Sequence, residues 1–180
     1  MKLIFGILFI WSIIHTGQAK KIAYFTHIEC PTPLSDQVYD YTCSLVKNAE
    51  GIPLLNVSFK LKEDTSNITM HFKVRAKYGE KPEETVLVFD LNVCDALGAA
   101  HEHYFLKMIF NELRRVSNLP SDCPLKKDFA YNIHGYTIDS SALPTYLPEL
   151  SWTVLSHFNI SQQTVATFNS HGKLSEKIEL

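Results

Sequence analysis

The sequence predicts a mainly β chain: an antiparallel β-sandwich or cup, with one amphipathic helix inserted between strands and two disulfides. Three observations lead there. Apolar and polar residues alternate strictly through much of residues 54–94, the period of strands with one face to a core and one to water. The period then lengthens to three and four between residues 101 and 118, as on a helix with one buried stripe. No alternation of strands with helices signals a parallel sheet. The 180 residues are 46% hydrophobic and 20% charged, which excludes a disordered chain and makes one domain the expectation. A formal net charge of -2 supplies no basic field for a nucleic-acid backbone, so no nucleic-acid partner is expected.

Residues 1–19 read as a signal peptide. Lys2 is the positive start, residues 3–14 are almost unbroken apolar, and Gly17-Gln18-Ala19 has the small-x-small form of a cleavage site. The apolar run is shorter than the roughly 20 residues that cross a bilayer. Residues 20–180 are therefore expected as a single secreted domain without a transmembrane segment. In an oxidising compartment, Cys30, Cys43, Cys94 and Cys123 form an even set for two disulfides. Of three possible pairings, the sequence-local Cys30–Cys43 and Cys94–Cys123 are favoured, each stabilising by about 3 kcal/mol. Asn56, Asn67 and Asn159 each open an Asn-x-Ser/Thr glycosylation signal.

Along the chain, residues 20–50 read as an irregular entry with one strand near Tyr41 to Val46, because Pro31 and Pro33 oppose helix. Leu55, Val57, Phe59 and Leu61 then alternate with Asn56, Ser58, Lys60 and Lys62. Ile68, Met70, Phe72, Val74, Ala76 and Tyr78 do the same against Asn67 to Lys77. A third strand covers Thr85 to Cys94, with Leu87, Phe89, Leu91 and Val93 on one face. Short polar connections make these an expected three-stranded meander. The helix follows at His101 to Asn118, its stripe formed by Phe105, Met108, Ile109, Leu113 and Val116 and broken only by Glu112. Arg114 and Arg115 suit its C-terminus, and Asn118 and Pro120 end it. Cys94 before the helix and Cys123 after it would clip both helix ends to the sheet. Strands resume at Phe129 to Ile133. Leu143 to Pro148 is a stiff connector, and Trp152, Val154, Ser156, Phe158 and Ile160 mark one face of the next strand. Thr164 to Phe168 and Leu174 to Ile178 are expected as a closing hairpin turning at His171-Gly172-Lys173. The total is six or seven strands.

The chain offers little catalytic chemistry. His101-Glu102-His103 places its imidazoles two apart, whereas metal ligands on one helix face need a spacing of four. No Cys-x-x-Cys, Gly-x-Ser-x-Gly, phosphate loop or Gly-x-Gly-x-x-Gly occurs. Asp90 and Asp95 have no marks of an acid–base pair. No enzyme activity, metal or cofactor is expected. Lys60, Lys62, His71, Lys73, Arg75 and Lys77 form an apparent basic stripe on the outer face of two strands. The stripe is either an ordinary solvated face or a contact for an anionic headgroup, glycan or receptor. Eleven Phe, eight Tyr and two Trp furnish either a packed core or the wall of a lipid cavity, which use the same side chains.

The set of motifs, in this order, resembles a family of short secreted insect proteins related to the ML (MD-2-related lipid-recognition) domain, including the chemosensory proteins A and B. The resembling residues are Cys30 with Cys43, Phe89-Asp90-Leu91-Asn92-Val93-Cys94 before the helix, Ser117-Asn118-Leu119-Pro120-Ser121-Asp122-Cys123-Pro124 after it, and Leu143-Pro144-Thr145-Tyr146-Leu147-Pro148. Asp95-Ala96-Leu97 and Pro148-Glu149-Leu150 depart from the family pattern, both in connectors. A distant resemblance extends to the ganglioside activator. The resemblance implies an immunoglobulin-like β-sandwich with an apolar cavity between its sheets. It also implies a protein that holds a hydrophobic small molecule or lipid and presents it, to a membrane receptor for instance, in gustatory or pheromone detection. The inward residues expected to line such a cavity are Phe59, Met70, Phe72, Val74, Phe89, Leu91, Phe105, Ile109 and Trp152. The competing expectation is a packed immunoglobulin-like module that binds a receptor or glycan through the basic stripe and has no cavity.

Overall fold

A computed structural model describes residues 21–98, 104–144 and 146–176. The expected signal peptide lies outside the described residues. Eight strands are present: β1 (Ile22–Glu29), β2 (Val38–Lys47), β3 (Pro53–Leu61), β4 (Ile68–Lys77), β5 (Glu84–Asn92), β6 (Tyr131–Tyr136), β7 (Leu150–Ile160) and β8 (Gln163–Ser175). Two helices, α1 (Val93–Gly98) and α2 (Tyr104–Arg115), separate β5 from β6. The strands form a five-stranded sheet in the order β1-β8-β7-β4-β5 and a three-stranded sheet in the order β2-β3-β6. Every pairing between strands is antiparallel. The fold is an immunoglobulin-like antiparallel sandwich.

The centre of the larger sheet is its most regular part. β4 pairs with β7 without a register break from Ile68 opposite Ile160 to Lys77 opposite Ser151. β7 and β8 are joined by Ser161-Gln162, both at positive φ (49° and 70°), as a two-residue hairpin turn matched to strand twist requires. The chain enters α1 through Asn92, whose Oδ1 accepts the Cys94 and Asp95 amides at 2.9 and 3.2 Å. That cap ends β5 at Asn92 instead of the expected Cys94. α2 falls inside the expected 101–118, and residues 101–103 lie outside the described residues.

Three expectations are corrected. The three-stranded meander does not form: β4 and β5 pair, but β3 pairs with β2 and β6 in the other sheet. Residues 62–67 carry the chain across, held by a reciprocal pair of 2.9 Å hydrogen bonds between the Thr65 and Leu125 backbones. The entry expected as irregular over residues 20–50 holds the one strand expected near Tyr41 to Val46, within β2, but also an unexpected one, because β1 pairs along β8 from Ile22 opposite Ser175. Nor is there a closing hairpin at residues 171–173. β8 runs straight through them, with Gly172 opposite Trp152 on β7 and Phe25 on β1. Glycine there reflects a close approach: a β-carbon would fall inside the Trp152 indole.

Both disulfides join the expected partners. Cys30–Cys43, with α-carbons 6.2 Å apart, ties the residue after β1 to β2 and so staples one sheet to the other. Cys94–Cys123, at 5.6 Å, closes the segment that contains both helices. The buried cluster lies against Cys123. Val38, Leu61, Ile68, Leu97, Leu125, Tyr131, Ile160, Val165 and Ala166 form it. Among the described residues, no helix is long and apolar enough to cross a membrane.

Candidate functional site: a cavity between the sheets

Between the two sheets the sandwich is not filled. A cavity of about 520 Å³ lies there, and most residues of the buried cluster also line it. Its walls follow from strand periodicity. β3 turns Leu55, Val57, Phe59 and Leu61 inward, and β4 turns Ile68, Met70, Phe72, Val74 and Ala76 inward from the facing sheet. α2 adds Met108, Ile109, Phe110 and Leu113, its apolar stripe. The room comes from small residues at inward positions. Ser156 stands between Phe72 on β4 and Phe168 on β8, and Ser170 and Gly172 follow on the same face of β8. Large side chains at Ser156 and Ser170 would occupy the space, whereas the room over Gly172 is taken by the Trp152 indole.

A bulge places part of the mouth. Val74 pairs with Leu87 but Arg75 pairs with Thr85, so Val86 is an extra residue on β5. Val86 lines the cavity and is also 50% exposed. Leu143 and Leu147 bring the connector before β7 to the lining, and Leu150 adds the first residue of β7. Tyr146, between them, is 79% exposed.

Of the residues expected at the cavity, Phe59, Met70, Phe72, Val74, Ile109 and Trp152 line it. Phe89 and Leu91 sit on β5, directly opposite Phe72 and Met70, and are not among the described lining residues. Phe89 stands beside Phe72 as its cross-strand partner, the two rings stacked with centroids 4.9 Å apart. The side chain of Phe105 lies outside the described residues. Sequence reasoning passed over Phe25, Tyr136, Ile138, Phe168 and the connector leucines. The four-residue spacing of Leu143 and Leu147 was the available signal for the last of these.

Polar groups at the wall are few. Among the described lining residues none is charged and none is histidine. The Tyr41 hydroxyl donates to the Thr167 carbonyl at 3.1 Å, and burial pushes its pKa up to about 12. Tyr136 is raised further above the ordinary tyrosine value, first by burial and then by the negative charge of Glu112. Glu112, the polar break in the helical stripe, has a side chain only 15% exposed. Its carboxylate accepts two hydrogen bonds from Arg115, at 2.8 and 2.6 Å.

The basic stripe does not exist as one surface. Lys60 and Lys62 belong to β3 and the residue after it, while His71, Lys73, Arg75 and Lys77 belong to β4 in the other sheet. Several of these charges also have acidic partners: Lys60 with Asp40 at 2.9 Å, Lys62 with Asp36 at 2.8 Å, Arg75 with Glu83 at 2.8 Å and His71 with Asp90 at 2.7 Å. Alternation identified each outer face correctly, but the two faces are not neighbours. At the glycosylation signals, Asn67 is exposed. Asn56 Oδ1 accepts the Gly135 amide at 2.7 Å, and Asn159 Oδ1 accepts the Thr164 hydroxyl at 2.7 Å. Among the described residues no group of three or more His, Cys, Asp or Glu is placed to hold a metal ion. His101-Glu102-His103 lies outside the described residues.

Residues 68–154, from β4 into β7 and slightly less than half of the chain, match the family described as "Protein of unknown function (DUF1091)". No curated protein matches the sequence. Twelve chains of solved structures match the fold. One is chicken MD-1 complexed with lipid IVa, 15% identical, covering 88% of this chain and 98% of its own, with a TM-score of 0.38. Another is a Niemann-Pick type C2 protein from Japanese carpenter ant, 16% identical, covering 83% and 90%, with a TM-score of 0.29.

Proposed function

We propose that this chain is a secreted, non-enzymatic binder of a hydrophobic small molecule or lipid, held between its two sheets. The observation that carries the reading is the cavity of about 520 Å³ with an uncharged, apolar lining. The volume falls within the roughly 300–1,000 Å³ of small-molecule sites. Its size also argues against a packing defect. At about 24 cal/mol per Å³ of unfilled cavity, such a void would cost on the order of 10 kcal/mol. That is comparable to the entire stability of a typical domain. An apolar occupant removes that cost.

The supporting observations are of different kinds. The apolar N-terminal run and two disulfides favour an extracellular setting. Kinship with the ML lipid-recognition proteins of insects, a role in chemosensation, a membrane receptor as partner, and glycans on Asn56, Asn67 and Asn159 belong to the same proposal. They rest on the sequence motifs. Trp152 is the single tryptophan after residue 20 and lines the cavity, so it reports directly on occupancy. Titrating the delipidated protein with a neutral hydrophobic dye, excited through Trp152, should give saturable binding at one dye per chain. Absence of saturable binding by the folded protein would refute the reading.

A further inference from the structure

The larger sheet ends in an open, apolar edge. β5 is its last strand, and among the described residues its ladder is with β4 alone. The other edge strands are better protected. β1 buries Ala23, Tyr24 and Phe25 in succession. β2 exposes Asp40, Thr42 and Ser44, all polar. β6 is short, and its His134 amide donates to the Val116 carbonyl at 2.8 Å. β5 has no Lys, Arg or Pro, residues that keep an open edge from pairing. Its Val86, Leu87 and Val88 are 50%, 38% and 51% exposed. Leu87, Phe89 and Leu91 pair with Val74, Phe72 and Met70, on the cavity side of the sheet. None of the three is among the described lining residues. An apolar strip therefore runs along the edge, beside backbone N–H and C=O groups that another strand can pair. The nearby charges are matched within the chain: Asp90 with His71 at 2.7 Å and Glu83 with Arg75 at 2.8 Å.

We infer that β5 pairs with β5 of a second copy of this chain, antiparallel and about a two-fold axis at Phe89, so that two sheets become one. Residues opposite each other in an antiparallel pair share a face, so the axis must pass through a residue. The bulge at Val86 confines regular pairing to residues 87–92. An axis at Asp90 would set two carboxylates against each other, and one at Val88 would set the bulge against Asp90. Axes nearer either end shorten the ladder. An axis at Phe89 sets Leu87 against Leu91 and Phe89 against its own copy on the inner face. On the outer face it sets Val88 against Asp90. Apolar meets apolar on the inner face, and no acid lies directly opposite an acid. The strand is thus complementary to itself, as a closed two-fold contact requires. The inference goes beyond ligand binding and does not depend on it.

Analytical ultracentrifugation of the full, disulfide-bonded protein over a range of concentrations should show a reversible equilibrium between monomer and dimer. Val88→Glu keeps a favourable ladder partner in its own chain, Lys73, but sets a carboxylate against Asp90 of the other copy, twice by symmetry. It should weaken the dimer by about tenfold or more. It should leave uptake of a hydrophobic dye unchanged, since Val88 stands on the outer face. Adding Asp90→Lys to Val88→Glu puts opposite charges across the axis and should restore most of the lost affinity. If circular dichroism shows the double variant unfolded, amide hydrogen exchange of parent residues 87–91 takes its place. Protection that grows with protein concentration supports the pairing, and its absence overturns it. A parent that stays monomeric or grows open-endedly past the dimer overturns the inference. So does a dimer that Val88→Glu leaves intact or that the folded double variant fails to recover. Dye binding by the parent bears on the ligand-binding reading alone.

Discussion

The indole of Trp152 on β7 fills the space that a β-carbon at Gly172 on β8 would need, and that same β-carbon would collide with the Tyr24 carbonyl. The two residues are direct partners in the ladder. The missing side chain lets the indole lie over β8, where Phe25 meets it edge-on at 5.4 Å. One glycine thus sets the position of a large aromatic in the cavity wall. Gly172→Ala should lower stability by about 1–3 kcal/mol, the usual range for overpacking. It should also shift Trp152 emission to the red. Urea unfolding and intrinsic fluorescence measure the two effects on one sample.

Phe72 and Lys73 are neighbours in sequence on opposite faces of β4. Phe72 lines the cavity, while Lys73 belongs to the outer face. Phe72→Arg should abolish uptake of a hydrophobic dye, because it sets an unpaired charge in an apolar space. Lys73→Glu reverses a charge one residue away and should leave uptake within about twofold of the parent. Dye titration of both variants, with circular dichroism to confirm folding, separates a cavity from an outer-face interaction surface.

The Cys94–Cys123 bond spans 29 residues that include α2. Replacing both cysteines by alanine should cost about 3–4 kcal/mol, from the entropy returned to the unfolded chain. The loss is expected as a lowered denaturation midpoint. Retained parental stability would mean that the clip constrains nothing the sandwich does not already hold.

Asp64 provides a pH prediction with a definite sign. The Lys127 amide donates to its carboxylate at 2.9 Å and the Lys126 ammonium lies 2.9 Å away. The amide first, then the ammonium, hold its pKa below the ordinary 3.8. A carboxylate whose pKa is lower folded than unfolded stabilises fully above the unfolded value. That contribution is lost as pH falls through the folded one. Between about pH 5 and pH 2, Asp64→Asn should therefore lose less stability than the parent protein. Thermal melts across that window give the comparison.

The strands and faces that alternate most clearly were legible in the sequence. Leu55 to Leu61 and Ile68 to Ala76 turn inward as their period requires. The cysteine partners and the position of α2 were legible too. Alternation tells a strand which side is buried and says nothing about its neighbour. For that reason β3 and β4 were expected to pair, although they lie in opposite sheets. β1 escaped notice because Ala23, Tyr24 and Phe25 are all buried in succession, which erases the period of two. Gly172 was taken for a turn because glycine marks both turns and close approaches. Composition could not separate cavity from core, since the difference lies in Ser156 and Ser170, small residues opposite large ones.

The central claim is that the space between the sheets holds a hydrophobic molecule. Native mass spectrometry of the protein secreted from eukaryotic cells, deglycosylated and kept in its disulfide-bonded form, tests it most directly. The account predicts a population carrying extra mass at one molecule per chain, released by organic solvent and restored by incubation with a neutral lipid. A bare protein mass both as secreted and after incubation with neutral lipids and fatty acids would contradict it.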